Sequence, residues 1–444
     1  MPKDIHFAHL FQVFNTISFS IVLGTPMILF FKHLNASATV LGIVAALPQL
    51  LNILQIPAAS LVEKVGYRNF VLRGWTARSF IILGMVAVPL LAVFLDPGTV
   101  LALMLFLLFA YNTSRGISAC GFLPWMTHLV PEGVRGIFLS RDQACGAVAS
   151  LSATLFASAL FHGSHHLYPF AAAFLVSFGA AIVSLLFLRR IPDVPVPEES
   201  KSREAVPWRK MVLHPPFLKL LVYNVIMNSA FAAAGVFWIP ALRDLYQWND
   251  SQILLLAGLG TAFSIGIIWS FGKMVDRVGS RPLLAFSGLA LLVHFSVWFC
   301  FCTRLLPLNG WTLVLLQSTS ACGTGLFNMA NTRLVMGTVP AMGRSHFFAL
   351  YSVITSLTLG LVPVGWGIAL DAIRGFHWQV GGGDFNRYSV LYAALFLITG
   401  VSLFRLKLLD EPRAMTTEAF FYELLVASPS RALTRLIGIR RTLP

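Results

Sequence analysis

The sequence is dominated by long apolar runs separated by short polar, glycine- or proline-containing turns. A helix needs roughly 20 apolar residues to cross a bilayer, and only 11% of the 444 residues are charged, against about 25% in soluble domains. We therefore predict an all-α integral membrane protein. Its twelve predicted spans are 8–31, 39–61, 70–95, 99–130, 138–161, 169–188, 217–240, 251–271, 282–302, 311–338, 346–370 and 390–409.

A charged turn with two glycines joins the eighth and ninth predicted spans. It reads GKMVDRVGSR and contains Gly272, Asp276, Arg277, Gly279 and Arg281. The pattern resembles the loop signature of the major facilitator superfamily of transporters, which occurs there between helices 2 and 3 and again between helices 8 and 9. The resemblance implies a gate at the inner face, in which the carboxylate helps to hold the inner side closed and releases it during transport. The alternative is that such loops only follow the positive-inside rule.

Two pairs of similar segments indicate that the chain is an internal duplication. Glu63, Gly66 and Arg68 match Asp276, Gly279 and Arg281 at a separation of 213 residues, although the earlier copy lacks the first glycine. Farther along, VPEGVRGIFLSR contains Arg135 and VPAMGRSHFFAL contains Arg344, at a separation of 209 residues. Two nearly equal separations predict two repeated six-helix halves, which is the arrangement of the resembled family. Glu63, Arg68, Arg135 and Arg344 complete the set of predicted gating residues.

A proline-rich segment of mixed charge divides the chain near its midpoint. We predict an N-terminal six-helix half at 1–188, a cytoplasmic linker at 189–216, a C-terminal six-helix half at 217–409 and a cytoplasmic tail at 410–444. The linker assignment follows from composition, because the segment is the only long polar stretch between spans.

The distribution of basic residues predicts the orientation. With both termini in the cytoplasm of a bacterial inner (plasma) membrane, 25 of the 32 Lys and Arg residues lie on the inner side, and Arg115 and Arg333 lie within helices. The bases left on the outer side are Lys32, Arg243, Arg304, Arg374 and Arg387. Since basic residues prefer the cytoplasmic side, the net charge of +14 is expected to face anionic lipid rather than nucleic acid.

Arg115 is the strongest candidate for contact with a solute. A charge at mid-membrane costs about 2.5–3.5 kcal/mol on insertion scales, so it normally faces a wet interior. Asp142 lies at a depth about 13 Å different from that of Arg115, counted at about 1.5 Å per residue from the turn near Gly133. Arg115 is therefore expected to be available to an anionic or hydroxylated ligand. The alternative is a structural arginine that is bonded to helix backbones or polar neighbours.

Several amides fall in the middle of predicted spans, on the helices that the family resemblance places around a central cavity. They suit a polar solute, and each could equally serve as a hydrogen bond between helices. With Arg115, the predicted substrate-binding residues are Asn15, Asn112, Asn224, Asn228 and Asn328.

Asp142 is the one acid in the predicted spans, and it is our candidate for proton coupling, with a salt bridge to a nearby base such as Arg141 as the alternative.

The five cysteines lie in apolar runs, and we expect no metal site, no cofactor and no enzymatic activity. The prediction is a monomeric secondary transporter that moves a small polar or anionic solute by alternating access, with proton coupling left open. The alternatives are a drug or amphiphile efflux antiporter and a transporter-like receptor without flux.

Overall fold

The computed structural model describes residues 6–129, 135–162, 166–194, 211–271, 278–338, 344–380, 382–409, 411 and 422. These residues form fourteen α-helices and one β-hairpin. The helices are α1 (His6–Val22), α2 (Thr25–His33), α3 (Ala38–Leu50), α4 (Gln55–Val65), α5 (Tyr67–Leu91), α6 (Pro97–Leu129), α7 (Arg135–Phe161), α8 (Tyr168–Leu188), α9 (Pro215–Tyr246), α10 (Asp250–Phe271), α11 (Ser280–Cys302), α12 (Gly310–Thr338), α13 (Arg344–Ala372) and α14 (Arg387–Leu406).

Each of the twelve predicted spans coincides with one helix or with a pair of consecutive helices. Ten helical stretches among the described residues are long and apolar enough to cross a membrane, α1 and α2 together forming the first. Of the other two, α12 carries many hydroxyl and amide side chains, and the second span is interrupted. Pro48 lies in the last turn of α3, and a 3₁₀ turn at Leu51–Leu54 joins α3 to α4. Proline removes a backbone donor and widens the turn before it, so one predicted helix becomes two.

The described helices pack as two compact units. Unit 1 contains residues 1–205 together with 236–258 and 359–371. Its core is formed by large side chains of α1, α5, α6 and α8, including Phe11, Trp75, Trp125 and Leu188. Because the second half of the chain contributes parts of α9, α10 and α13 to this unit, the packing units differ from the halves predicted at 1–188 and 217–409. Those halves stay a prediction.

Unit 2 contains residues 206–235, 259–358 and 372–444. Within it α11 packs against α12 and α14, and the rings of Trp298 and Tyr392 stack with centroids 4.9 Å apart. A two-stranded antiparallel hairpin, β1 (His377–Val380) and β2 (Gly383–Asn386), precedes α14. The side chain of Asn386 then caps α14 by accepting from the backbone N–H groups of Tyr388 and Ser389.

The two copies of the charged turn have the same local geometry where both are described. Gly66 precedes α5 with φ +83° and ψ 152°, and Gly279 precedes α11 with φ +95° and ψ 174°. Only glycine adopts this region readily, because it has no Cβ. The Arg68 guanidinium donates to the backbone oxygen of Arg189, the C-cap of α8. In the same way, Arg281 donates to the oxygen of Lys407, the C-cap of α14, at 3.3 Å.

A serine-to-glycine hydrogen bond joins the third and fourth spans, and a similar bond joins the ninth and tenth spans. In the second pair the serine and the glycine have exchanged helices. The Ser114 hydroxyl on α6 donates to the Gly74 oxygen on α5 at 3.1 Å. The Ser287 hydroxyl on α11 donates to the Gly323 oxygen on α12 at 2.6 Å. Gly74 and Ser287 are 213 residues apart, and Ser114 and Gly323 are 209 residues apart. These separations equal those of the two sequence repeats, so the duplication extends into helix packing.

Candidate functional site

A cluster of polar and aromatic side chains lies inside unit 1, between α1, α5 and α6. The indole N–H of Trp75 donates to the Asn15 side-chain oxygen at 3.2 Å. The Arg78 guanidinium lies 3.7 Å from the ring centroid of Trp75, 5.1 Å from Phe19 and 5.8 Å from Tyr111. An arginine stacked on aromatic faces in this way is stabilised by the negative face of each ring.

Arg78 is buried at the level of the membrane interior. It is only 3% exposed and lies eleven residues into α5, about 16 Å along the helix axis. Its Nη1 atom is buried and makes no hydrogen bond within the described part of the chain. Sequence reasoning did not single out Arg78, because it counted the residue among the basic helix ends. Arg78 follows Trp75 by three residues, which places both on one face of the helix. This spacing could have indicated a contact between the arginine and the indole ring.

Arg115 lies on the neighbouring helix, α6, and reaches the interruption of the second span. Its Nη2 donates to the Asn52 side-chain oxygen at 2.9 Å and to the backbone oxygen of Pro48. These bonds are the kind expected if Arg115 has a structural role. They use only Nη2, however, and the buried Nε of Arg115 has no partner among the described residues. Gly116 permits the close approach, since a Cβ there would lie 2.1 Å from the Leu51 oxygen.

Asn112 is fully buried beside this cluster. Its amide nitrogen donates to the Leu108 backbone oxygen at 2.9 Å, within α6. Its side-chain oxygen has no hydrogen-bond partner in the described residues. Asn15 and Arg115 therefore lie in one polar region with Arg78, and Asn112 lies on α6 three residues before Arg115. We refer to this set, with Trp75 and Tyr111, as the arginine cluster.

In unit 2 one of the predicted amides, Asn224, takes part in hydrogen bonds between helices. Asn331 donates to Asn224 and to the Tyr351 hydroxyl, each at 2.8 Å, and Tyr351 donates to Asn224 at 2.9 Å. This triangle joins α9, α12 and α13. Asn228 donates to the Asn224 backbone oxygen within α9, and Asn328 is exposed on α12. Asn224 therefore forms hydrogen bonds between helices, which is the alternative role stated above for these amides. Contact of Asn224, Asn228 and Asn328 with a substrate stays a prediction.

Asp142 faces a histidine. Its carboxylate oxygen lies 3.7 Å from Nδ1 of His9, on α1. No contact between Asp142 and Arg115 is present among the described residues. Both groups can bind a proton, so the proton-coupling hypothesis has a specific partner for Asp142.

Most of the predicted gating residues fall at the limits of the described chain. Gly272, Asp276 and Arg277 lie outside the described residues, as do the proline-rich segment at 195–210 and nearly all of the tail. Glu63, Arg135 and Arg344 lie on helices, and their side chains are not described. Arg281 is described, and the backbone N–H groups of Ser280 and Arg281 donate to the Glu411 carboxylate at 2.9–3.0 Å. Glu411 thus satisfies free donors at the start of α11.

A second polar group, which sequence reasoning missed, lies at the opposite ends of the unit 1 helices from Gly66. Lys32 pairs with Asp244 at 2.7 Å, and Asp250 accepts from His33 at 2.8 Å and from Arg243 at 3.0 Å. We call these five residues the outer ion cluster. Lys32 and Arg243 were both predicted to lie on the outer side. The sequence pattern did not pair Lys32 with Asp244, because the two residues are more than 200 positions apart. It did not pair Arg243 with Asp250 either, because that contact depends on the local turn between α9 and α10.

Asp371 joins α13 to α3 near the outer ion cluster. Its carboxylate accepts from the backbone N–H groups of Ala38 and Thr39, at 3.0 and 2.8 Å, and from the Thr39 hydroxyl at 2.6 Å. The helices touch closely, because a Cβ at Gly42 would lie 2.4 Å from the Pro363 oxygen and one at Gly367 would lie 2.6 Å from the Ala38 oxygen. A negative charge at a helix N-terminus is favourable, so Asp371 stabilises this contact.

Comparison with known proteins identifies the family. The model of the Major Facilitator Superfamily matches residues 7–363. No curated protein sequence matches the chain. Among solved structures, a D-xylose-proton symporter has a TM-score of 0.70 at 15% identity, over 93% of this chain and 98% of that chain. A variant of the nucleoside transporter NupG has a TM-score of 0.69 at 12% identity, over 92% and 99%.

The xylose transporter XylE from E. coli, in an inward-open conformation, has a TM-score of 0.68 at 14% identity, over 93% of this chain and 97% of that chain. At these identities the structures establish the fold, and the family model adds the family. The predicted twelve-helix membrane fold and the resemblance read from the charged turn are both confirmed. The chain belongs to the Major Facilitator Superfamily and is an integral membrane transporter rather than an enzyme.

Proposed function

We propose that the chain is a secondary transporter that carries a small polar or anionic solute by alternating access. The observation that supports the substrate class is the arginine cluster. Arg78 and Arg115 lie close together inside unit 1, each near Tyr111, and neither contacts a carboxylate among the described residues. Buried cations without a counter-charge are costly, and an anionic or hydroxylated solute would supply the missing acceptor.

The cluster offers more than charge. The Asn112 oxygen and the Arg115 Nε have no described partner, so both an acceptor and a donor remain for a solute. The rings of Trp75 and Tyr111 add flat apolar faces beside these polar atoms. Ligand sites commonly combine an apolar lining with a few polar groups that fix orientation. The related structures named for nucleoside and D-xylose transport show that this fold accommodates polar solutes in other proteins.

Alternating access would use contacts at both ends of the helices. We propose that the outer ion cluster and Asp371 hold the outer end closed, and that Glu63, Arg68, Arg135, Gly272, Asp276, Arg277, Gly279, Arg281 and Arg344 act at the inner end. The orientation with both termini in the cytoplasm rests on the distribution of Lys and Arg. Within this scheme the His9–Asp142 pair is the candidate site for proton coupling.

Transport is tested by uptake into proteoliposomes. Solutes are first screened for thermal stabilisation of the purified protein, in panels of sugars, nucleosides, organic anions and amphiphilic drugs. Stabilising solutes are then radiolabelled and followed into vesicles. Saturable uptake of a polar or anionic solute supports the proposal. Uptake of amphiphilic drugs alone favours the efflux antiporter, and stabilisation without any flux favours the receptor.

The role of the arginine cluster is tested with matched variants. We expect Arg115→Gln and Arg78→Gln to raise KM for an anionic solute at least tenfold, because one full charge is lost at the site. Arg115→Lys keeps the charge and is expected to restore part of the affinity. Arg304→Gln removes an exposed arginine elsewhere and serves as the control. If KM is unchanged while only the thermal stability falls, Arg115 is structural and the anionic substrate class is wrong.

Coupling is tested with a pH gradient across the same vesicles. If the His9–Asp142 pair carries the proton, Asp142→Asn should abolish accumulation of the solute against its gradient. Exchange of labelled for unlabelled solute should continue, because it needs no net proton movement. Undiminished accumulation in this variant would remove Asp142 from the coupling pathway.

A further inference from the structure

Two grooves on the surface of unit 1 meet at one basic side chain. The larger, of about 690 Å³, is lined by residues of α4, α5 and α6, among them Leu61, Phe106 and Phe109. The smaller, of about 420 Å³, lies on the other side of α5, where Thr76, Phe80 and Arg189 contribute to its walls. Arg73 lines both grooves, so a cation stands between them; the smaller groove combines Asn69, Thr76 and the two arginines with apolar residues of α5.

The exposed face of α5 changes character along its length. Asn69 and Arg73 lie at the start of the helix, and Ala77, Phe80 and Leu83 follow on the same exposed face. These residues recur every three or four positions, which places them on one side of the helix. A polar end followed by an apolar stripe matches an amphiphile that lies along the helix with its head at the start of α5.

The depth of Arg73 suits contact with a lipid headgroup. It lies six residues after Tyr67, the first residue of α5, or about 9 Å along the axis. A helical side chain leans toward the helix N-terminus, and a long arginine in lipid extends toward the interface. The guanidinium is therefore directed to the membrane surface at the end where α5 begins and α8 ends.

The charge at this place is positive and unpaired in the described structure. Arg73 and the side chain of Arg189 make no described hydrogen bond or ion pair, and no carboxylate lines either groove among the described residues. Arg68 fixes the position of Arg189 by donating to its backbone oxygen. Basic pockets between membrane helices bind anionic headgroups.

We propose that Arg73 and Arg189 bind the phosphate of an anionic phospholipid whose two acyl chains occupy the two grooves. The shared position of Arg73 explains why a diacyl lipid fits: one headgroup lies between two chains that run on either side of α5. The two exposed phenylalanines of the larger groove, of which Phe106 is 65% exposed, then contact acyl chain. This lipid site is separate from the arginine cluster, so it does not depend on the transported solute.

The experiment uses the full chain in detergent and two lipids that differ only in the headgroup, dioleoyl phosphatidylglycerol and dioleoyl phosphatidylcholine. Native mass spectrometry counts retained lipids, and thermal unfolding measures stabilisation. We expect phosphatidylglycerol to be retained and to stabilise the protein more than phosphatidylcholine. Arg73→Gln and Arg189→Gln should each weaken phosphatidylglycerol binding about fivefold, as expected for loss of one base near an anionic headgroup.

Two further variants separate charge from shape. Arg405→Gln removes an exposed base from the last turn of α14 that lines neither groove, and should leave phosphatidylglycerol binding unchanged. Ala77→Trp fills the smaller groove without changing charge and should weaken binding of the lipid. Variants with unaltered unfolding in lipid-free detergent show that the fold is intact.

Several outcomes would overturn the proposal. Equal retention of both lipids would show that the headgroup charge is not recognised. Equal stabilisation by glycerol phosphate and by phosphatidylglycerol would show that the site takes a soluble anion rather than a lipid. A lipid-independent dimer that Arg73→Gln or Ala77→Trp dissociates would show that the grooves hold a second copy of the chain.

Discussion

Removal of the Asp371 carboxylate should loosen the contact between the end of α13 and the start of α3. The carboxylate accepts three hydrogen bonds there, from the N–H groups of Ala38 and Thr39 and from the Thr39 hydroxyl. In Asp371→Ala these donors lose their partner, and the start of α3 loses a favourable negative charge. If this end of the protein opens during transport, the variant should spend more time open.

The magnitude follows from these bonds. A hydrogen bond to a charged group contributes about 1.5–3 kcal/mol, and a charge at a helix N-terminus contributes about 0.3–1 kcal/mol. Asp371 is only partly buried, so water replaces part of what is lost. A net cost of about 2 kcal/mol corresponds to an increase of about 30-fold in the population of the open form.

The assay is the rate at which an introduced thiol reacts with a maleimide. Ala36 is 6% exposed and precedes α3 by two residues, so Ala36→Cys places a thiol that is protected while the contact is closed. The five native cysteines are first replaced, since all are free. We expect labelling about 30-fold faster in Asp371→Ala than in the parent, with Asp371→Asn between them, because the rate follows the population of the open form when closing is fast.

The control is Asp96→Ala. Asp96 also caps a helix, but its partner, Thr99, lies within the same turn of α6, so its loss should not change labelling. Equal rates for the parent and Asp371→Ala would refute the reasoning. So would an equal acceleration by Asp96→Ala, since that would indicate general loosening of the fold.

Three further predictions concern stability, measured by thermal unfolding. Gly116→Ala should destabilise the protein strongly, because its Cβ would lie 2.1 Å from the Leu51 oxygen, whereas Gly179→Ala, with nothing within 4 Å, should be neutral. Gly279→Ala should cost about 2 kcal/mol through its backbone conformation alone; an unchanged unfolding temperature would contradict the strain argument. Asn331→Leu should cost about 1–3 kcal/mol by leaving buried polar partners unsatisfied, and Asn331→Asp should cost at least as much, because an ionised carboxylate cannot donate to Asn224 or Tyr351.

The sequence predicted the spans well because each is a long apolar run with a clear end. It missed the interruptions inside the first two spans, since Gly24 and Pro48 lie within otherwise continuous apolar stretches. In the structure, α1 ends before Gly24 and a 3₁₀ turn follows α3. A local break of this kind depends on whether a backbone carbonyl freed from the helix accepts a hydrogen bond elsewhere. The Pro48 carbonyl accepts one from Arg115, which lies on another helix.

The polar partners were harder to predict than the helices. The described contacts of Arg115 are with Asn52 and Pro48, and that of Asp142 is with His9, so the depth argument for separating the two stays a prediction. The pairing of His33 with Asp250 could not be inferred in this way, since it joins residues 217 positions apart. The β-hairpin before α14, in which His377 pairs with Asn386, was not predicted from the sequence. Gly383 belongs to the second strand and pairs with Val380, and Gly382 has a positive φ between the strands.

The exchanged partners at the two Ser–Gly crossings have a consequence for comparing the two copies. Each copy has one serine hydroxyl and one glycine oxygen at this junction, but on opposite helices. A residue-by-residue alignment pairs Gly74 with Ser287 and Ser114 with Gly323. It therefore scores two mismatches at a place where both copies make the same kind of hydrogen bond.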